Sequence, residues 1–203
     1  MRWLIPRLER FHHEQPHVEV AVTTVSTVHE ELRGGFDVAI RRGVTGERSW
    51  PRYRVISVLE DIDTLIMSPE LFARQPVRTP EDVEGHVLLA SETRPGDWID
   101  WLEAAGLSHL IARPRQVFDH FFITRQAVED GIGIGIGPLP LLEIDVAAGR
   151  IMTPLPQIQV RRTGYVTLTA LDAETTGPIP AFVAWLSEEQ GRPWSHVSRG
   201  PMS

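Results

Sequence analysis

Apolar residues recur at helical spacing at the start of the chain. Trp3, Leu4, Leu8 and Phe11 share one face between Arg2 and His13, and Arg7, Glu9 and Arg10 turn away from it. Pro6 falls in the first turn, where a missing N–H costs little, and Pro16 stops the helix. The period then switches to two. Residues 18–24 read VEVAVTT, which predicts a strand. A short helix over 27–33 is closed by Gly34-Gly35. The apolar run FDVAIRRG over 36–43 is of the kind buried in a parallel sheet. Strand material follows over 55–67, carrying acids at Glu60, Asp61 and Asp63, and Ser68-Pro69 opens a helix.

The second half continues the alternation. Thr79-Pro80 is a helix start, 87–90 a short buried strand, and Asp97–Ala105 an amphipathic helix closed by Gly106. Strands are predicted over 116–118, 132–136, 151–155 and 165–171, and helices over 121–130, 139–148 and 180–190. Residues 191–203 are expected to be a disordered tail. Strands and helices in alternation argue for parallel βαβ units and an α/β fold.

Composition narrows what such a fold can do. The 203 residues carry a formal charge of -7, and the basic pairs Arg41-Arg42 and Arg161-Arg162 stand isolated among acids. That excludes the basic stripe of a free-standing nucleic-acid binder. All basic residues are Arg, so no Schiff-base or phosphate-loop lysine exists. The absence of Cys removes disulfides, thiolates and Cys-zinc sites. No apolar run approaches the roughly eighteen residues of a membrane span. The charged start MRWLIPRLERF has no small-residue cleavage site, so no signal peptide is expected and the cytoplasm is the expected location.

Several motifs suggest chemistry. His13-Glu14-Gln15-Pro16-His17 matches the zinc-protease pattern H-E-x-x-H, but Pro16 breaks the helix that pattern needs, which leaves a polar helix end. Gly131, Gly133, Gly135 and Gly137 alternate with isoleucines at strand spacing, which favours close packing, or a ligand near Gly137, over a dinucleotide loop. Asp119-His120 precedes a helix start without an evident nucleophile. Asp119 reads as an N-cap, and the helix N–H groups suit an anion. Arg41 and Arg42 end a strand, where an arginine forks onto a ligand carboxylate or pairs with a surface acid. Thr23, Thr24, Ser26 and Thr27 also follow a strand end, as ligand donors or helix caps.

Read in order, RWLIPRLERFHHEQPHVEVAV, FDVAIRRG, LIMSPELFA, RTPEDVEGHVLL, DWIDWLEAAGL, QAVEDGIGIGIGPLPLLEIDVAAGRIMTPL and PAFVAWLSEE resemble the effector-binding domain of LysR-type transcriptional regulators, in the subgroup similar to the glycine-cleavage activator. The resemblance implies a periplasmic-binding-protein type II-like fold with two α/β lobes and a hinge crossed twice, near Met67-Ser68 and near Val166 to Leu168. Lobe I would comprise 1–67 plus 169–190, and lobe II 68–168. It further implies a small acidic or polar effector in the interlobe cleft, with no cofactor, metal or catalytic residue. The matching pocket positions are Thr24, Val25, Arg41, Arg42, Met67, Ser68, Phe118, Asp119 and His120. Family members form homodimers or tetramers, here through the first helix and a helix near Arg125 to Glu129. They reach DNA through an N-terminal winged helix-turn-helix that this chain does not contain. The chain also starts inside the family's first helix, so the first strand and its polar loop are missing and a sheet slot is expected to stay unpaired. A stand-alone solute-binding protein and an enzyme on the same fold are the rival readings.

Overall fold

The computed structural model describes residues 3–24, 35–42, 50–190 and 192. It resolves into two compact units. Unit 1 takes Met1–Glu60 and Thr163–Ser203, and unit 2 takes Asp61–Arg162.

Unit 1 begins with a 3-10 turn, Ile5–Arg7, that runs into helix α1, Leu8–Glu14. Pro6 sits in the turn, and Gln15 ends the helix just before Pro16. Phe11 is the buried anchor of this face. Its ring meets Phe182 edge-on at 5.0 Å and lies 5.1 Å from Trp185, both on helix α6, Pro178–Glu189. The fully buried Glu189 carboxylate accepts from Arg10 at 2.7 and 3.0 Å and from Arg192 at 3.2 Å, and Arg7 lies 3.7 Å away. Strand β1, Ala39–Arg42, pairs antiparallel with β6, Gln159–Ala170, with Ala39 opposite Leu168 and Arg42 opposite Tyr165. Strand β2, Tyr53–Ile66, lies on the other side of β6.

The β-branched segment Val18–Thr24 is not a strand. Alternation supplies β-propensity, but a strand forms only where a neighbour completes its ladder, and these residues stay mostly exposed, with Val22 at 36%. The apolar run around β1 sits in an antiparallel pair and is half-buried, not a doubly covered parallel strand. The helix expected at 27–33 and, apart from Arg192, the tail expected at 191–203 fall outside the described residues.

Unit 2 is layered, helix on sheet on helix. The chain enters on β2, whose Asp63–Ile66 stretch pairs antiparallel with β5, Ile134–Pro138. Strand β5 pairs parallel with β3, Leu88–Ser91, which pairs parallel with β4, Gln116–Phe118. Period two then sorts the side chains. Leu65, Leu88, Ile134 and Ile136 face a core that holds Trp98 and Trp101 of helix α3, Asp97–Ala104. Ile66 and Leu89 face the other core, with Ala127 and Val128 of helix α4, Phe121–Glu129, and Leu142 of helix α5, Leu139–Ala147. Helix α2, Pro69–Arg74, is capped by Ser68, whose Oγ accepts from Leu71 N–H at 3.2 Å. Thr79 and Asp82 form a capping box for the 3-10 turn Pro80–Gly85. The strand expected over 151–155 shrinks to a single bridge between Met152 and Met67.

Candidate functional site

The register of unit 2 decides which predicted residues meet. Strands β3, β4 and β5 run parallel, so their C-terminal ends share one edge. Ser91 lies opposite Phe118 there. Strand β2 runs the other way, with Asp63 opposite Pro138 and Ile66 opposite Gly135. Asp63 therefore shares the edge with Phe118, and Met67-Ser68 emerge at the opposite edge. Residue spacing alone does not reveal that separation.

Polar side chains gather at the Phe118 edge. Two hydroxyls converge on it: Ser91 Oγ and Thr93 Oγ1 hydrogen-bond at 2.9 Å. Thr93 Oγ1 also accepts from Phe121 N–H at 3.3 Å, at the start of α4. Glu92 N–H donates to Phe118 C=O at 2.9 Å, which closes the two loops on each other. The N-cap of α4 is His120, not Asp119, and it makes no side-chain cap bond. Asp119 is exposed instead, and Thr93 satisfies the first helical N–H that a capping side chain would otherwise take. The half-buried His120 ring stacks on Phe122 at 5.6 Å and 16°, and Phe122 is 64% exposed. Hydroxyls, an imidazole, an aromatic face and a helix start thus lie together at strand ends, where α/β sheets bind ligands.

Behind this edge lies a buried ion cluster. Arg94 follows Thr93 and reaches Asp63 Oδ1 at 2.6 Å, Asp97 Oδ2 at 2.7 Å and Asp61 Oδ1 at 3.2 Å. Its guanidinium lies 5.5 Å from the Phe121 ring centre. Arg162 Nε is 2.7 Å from Asp63 Oδ2, and its Nη2 reaches Asp100 at 2.7 Å and Asp97 at 3.3 Å. The Arg162–Asp63 contact is close but lacks hydrogen-bond alignment, so it is a Coulombic pair. Burial pushes the Asp63 carboxyl up to about 6. Arg94 pulls it down, Asp97 and Asp61 push it further up, and Arg162 pulls it down. A cavity of about 90 Å³ opens beside Ser91, Arg94, Trp98 and Arg115.

The remaining predicted positions lie elsewhere. Met67 is fully buried and bridged to Met152, and the Ser68 hydroxyl is committed to its cap. The chain passes between the two units at Glu60-Asp61 and Arg162-Thr163. In unit 1, Arg41 and Arg42 are half-buried on β1, and Thr24 is exposed outside any strand. Val25 lies outside the described residues. Sequence reasoning missed Ser91, Thr93 and Arg94, which carry no motif. The available signal was Asp61 and Asp63, two acids two residues apart and so on one face of a strand.

The glycine run resolves as packing. A Cβ on Gly133 would lie 2.4 Å from Val87 O, and one on Gly137 would lie 2.8–3.0 Å from Leu142, Ile66 and Phe121 side chains. The space beside Gly137 is filled by the protein itself. Helix α1 ends at Glu14, so His13 and His17 do not stand on successive turns of one helix. Among the described residues no group of three or more His, Asp or Glu is placed to hold a metal ion, and no helix is long and apolar enough to cross a membrane.

Comparison with known proteins supplies the context for these features. The model of the LysR substrate binding domain matches residues 1–191. The glycine cleavage system transcriptional activator of Escherichia coli (strain K12) is 28% identical over 187 residues, 92% of this chain and 60% of that protein. The HTH-type transcriptional activator AmpR of Rhodobacter capsulatus is 30% identical over 188 residues, 92% of this chain and 62% of that protein. The chain thus spans about three-fifths of the length of these relatives. The effector domain of the transcriptional regulator AmpR of Pseudomonas aeruginosa superposes with a TM-score of 0.77 at 28% identity, over 92% of this chain and 88% of that one. These matches carry with them the periplasmic-binding-protein type II-like class of α/β fold.

Proposed function

The chain belongs to the LysR substrate binding domain family, whose matched relatives are transcriptional regulators and not enzymes, and on that premise we propose that it is the effector-sensing part of such a regulator. The observation that carries this reading to particular residues is the Phe118 edge of unit 2. Ser91, Thr93, Asp119 and His120 present donors and acceptors around the α4 start and the exposed Phe122 ring. That set suits a small acidic or polar metabolite: the helix start and imidazole meet a carboxylate, and the hydroxyls meet a polar tail. By family resemblance alone, Thr24, Val25, Arg41 and Arg42 stay candidate effector contacts as well.

The proposed action is binding without chemistry. The Ser91 and Thr93 hydroxyls bond each other, a poor arrangement for a nucleophile, which needs an adjacent base. Effector binding would shift the balance between conformations of a homodimer or tetramer in the cytoplasm. A DNA-binding part outside this chain would report the shift.

The test is a thermal melt of the chain against a panel of amino acids and small carboxylic acids. A true effector at a hundred times its Kd adds about 2.7 kcal/mol of stability, which at roughly 2–4 °C per kcal/mol raises Tm by about 5–11 °C. His120→Ala and Thr93→Val are expected to abolish most of that rise. A panel that leaves Tm unchanged, or a rise indifferent to both variants, contradicts the proposal.

A further inference from the structure

We propose that the cluster of Asp61, Asp63, Arg94, Asp97 and Arg162 is a proton-sensitive latch that holds the segment 91–96, and through it the start of α4, in place. The consequence for effector affinity rests on the function proposed above; the latch itself does not.

The geometry is that of a hub. Asp61 and Asp63 stand two apart on β2, so both point to one face, and both are fully buried. Arg94 joins them to Asp97 at the head of α3. Arg162 joins Asp63 to Asp97 and Asp100 from β6. The segment that carries Arg94 is tied to α4 twice, once by Phe121 N–H donating to Thr93 Oγ1 and once by the Arg94 guanidinium over the Phe121 ring. Within the segment, Arg94 N–H donates to Ser91 C=O at 3.1 Å. A change in how Arg94 is held is therefore passed to Thr93 and Phe121 through contacts one residue long.

Asp63 is the member whose charge can change under mild acid. The charged groups facing it are Arg94 from the loop after β3, Asp97 from α3, Asp61 from its own strand and Arg162 from β6. Burial, joined by Asp97 and Asp61, outweighs the two arginines and brings its carboxyl to about 6. Protonation removes the charge assistance from the 2.6 Å Arg94 bond. It also removes the charge from the Arg162 contact, which has no hydrogen-bond alignment to fall back on. Arg94 is then held by Asp61 and Asp97, which pull on it from two different elements. The guanidinium shifts between them, and Thr93 and Phe121 follow.

The test needs no ligand. The isotopically labelled chain is titrated by NMR from about pH 2.5 to about pH 8, which brackets ordinary and raised carboxyl values. The Asp63 carboxyl carbon and the Thr93 and Phe121 amides are followed together. We expect one shared midpoint near 6. Asp63→Asn should remove that transition from both amides. Arg162→Gln, which deletes a nearby cation, should raise the midpoint by about 1 unit. The latch is overturned if Asp63 titrates at an ordinary value of about 4, if the amides do not move with it, or if Arg162→Gln leaves the midpoint where it was. Should Asp63→Asn fail to fold, the wild-type coincidence and the Arg162→Gln displacement decide alone. If the amides follow Asp63 but no metabolite binds, the latch stands and the effector reading falls.

Discussion

Replacing Gly133 by Ala is expected to destabilise unit 2 more than replacing Gly137, although both belong to the same alternating run. A new Cβ at Gly133 would lie 2.4 Å from Val87 O and 3.1 Å from Val87 C. Both atoms are backbone, and Val87 O already accepts from Ile134 N–H at 3.0 Å. The two chain segments must separate to admit the methyl, so overpacking adds to a weakened hydrogen bond. Overpacking costs about 1–3 kcal/mol, a lost hydrogen bond about 0.5–1.5, and the entropy relief of Gly→Ala returns about 0.4–1. With an immovable neighbour the cost lies at the upper end, about 3 kcal/mol. At Gly137 the same methyl meets Leu142 Cδ1 at 2.8 Å, Ile66 Cδ1 at 2.9 Å and Phe121 Cζ at 3.0 Å. Those are side-chain ends that can yield by tenths of an ångström, and the net cost falls to about 1–2 kcal/mol. Thermal unfolding followed by circular dichroism reads the difference. At roughly 2–4 °C per kcal/mol, Gly133→Ala should lower Tm by about 6–12 °C and Gly137→Ala by about 2–8 °C. A Gly133→Ala protein as stable as Gly137→Ala, or either variant as stable as the parent, would refute the packing account of the glycine run.

Three further outcomes follow from other parts of the structure. Asp63 is raised in the fold from 3.8 to about 6, so its contribution to stability is fully present below about pH 3.8 and is lost as pH rises through about 6. The difference is worth about 3 kcal/mol, and urea unfolding at the two ends of that window should show it in the parent but not in Asp63→Asn. Ser68→Ala removes the α2 cap bond and should cost about 1 kcal/mol in the same assay, while leaving the affinity of any bound metabolite unchanged. Glu189→Gln leaves the buried Arg7 beside a neutral group and weakens the charge-assisted Arg10 bonds. A loss of about 3 kcal/mol is expected in thermal melts, and a change under 0.5 kcal/mol, about the scatter of ordinary surface substitutions, would count against the α1–α6 clamp.

What the sequence discloses is local, and what it hides depends on register. Ser68-Pro69, Thr79-Pro80 and the Trp98–Trp101 helix are legible because caps and 3.6-residue spacing act within one or two turns. The segment 18–24 misleads because alternation states a preference and says nothing about a neighbour. The pairing of β2 against β5 is invisible in either strand, yet it parts Met67-Ser68 from Phe118–His120 and brings Asp63 to the second group. Asp119 looks like a cap, but Thr93, 28 residues from Phe121 in the chain, takes the helical N–H. Family resemblance pointed to the Phe118–His120 stretch as a candidate, but it gave no sign of the arginine–aspartate cluster behind it.

The central claim is that an effector binds at the Phe118 edge of unit 2. It is tested most directly by chemical-shift perturbation on the labelled chain, titrated with the metabolite that most raises Tm. The account predicts saturable shifts concentrated at the amides of Ser91, Thr93, Asp119 and Phe121, with little change at Ser68, Leu71 and Gly131 on the opposite edge. Shifts concentrated on the Ser68–Gly131 edge, or the absence of saturable shifts at Ser91 to Phe121, would contradict it.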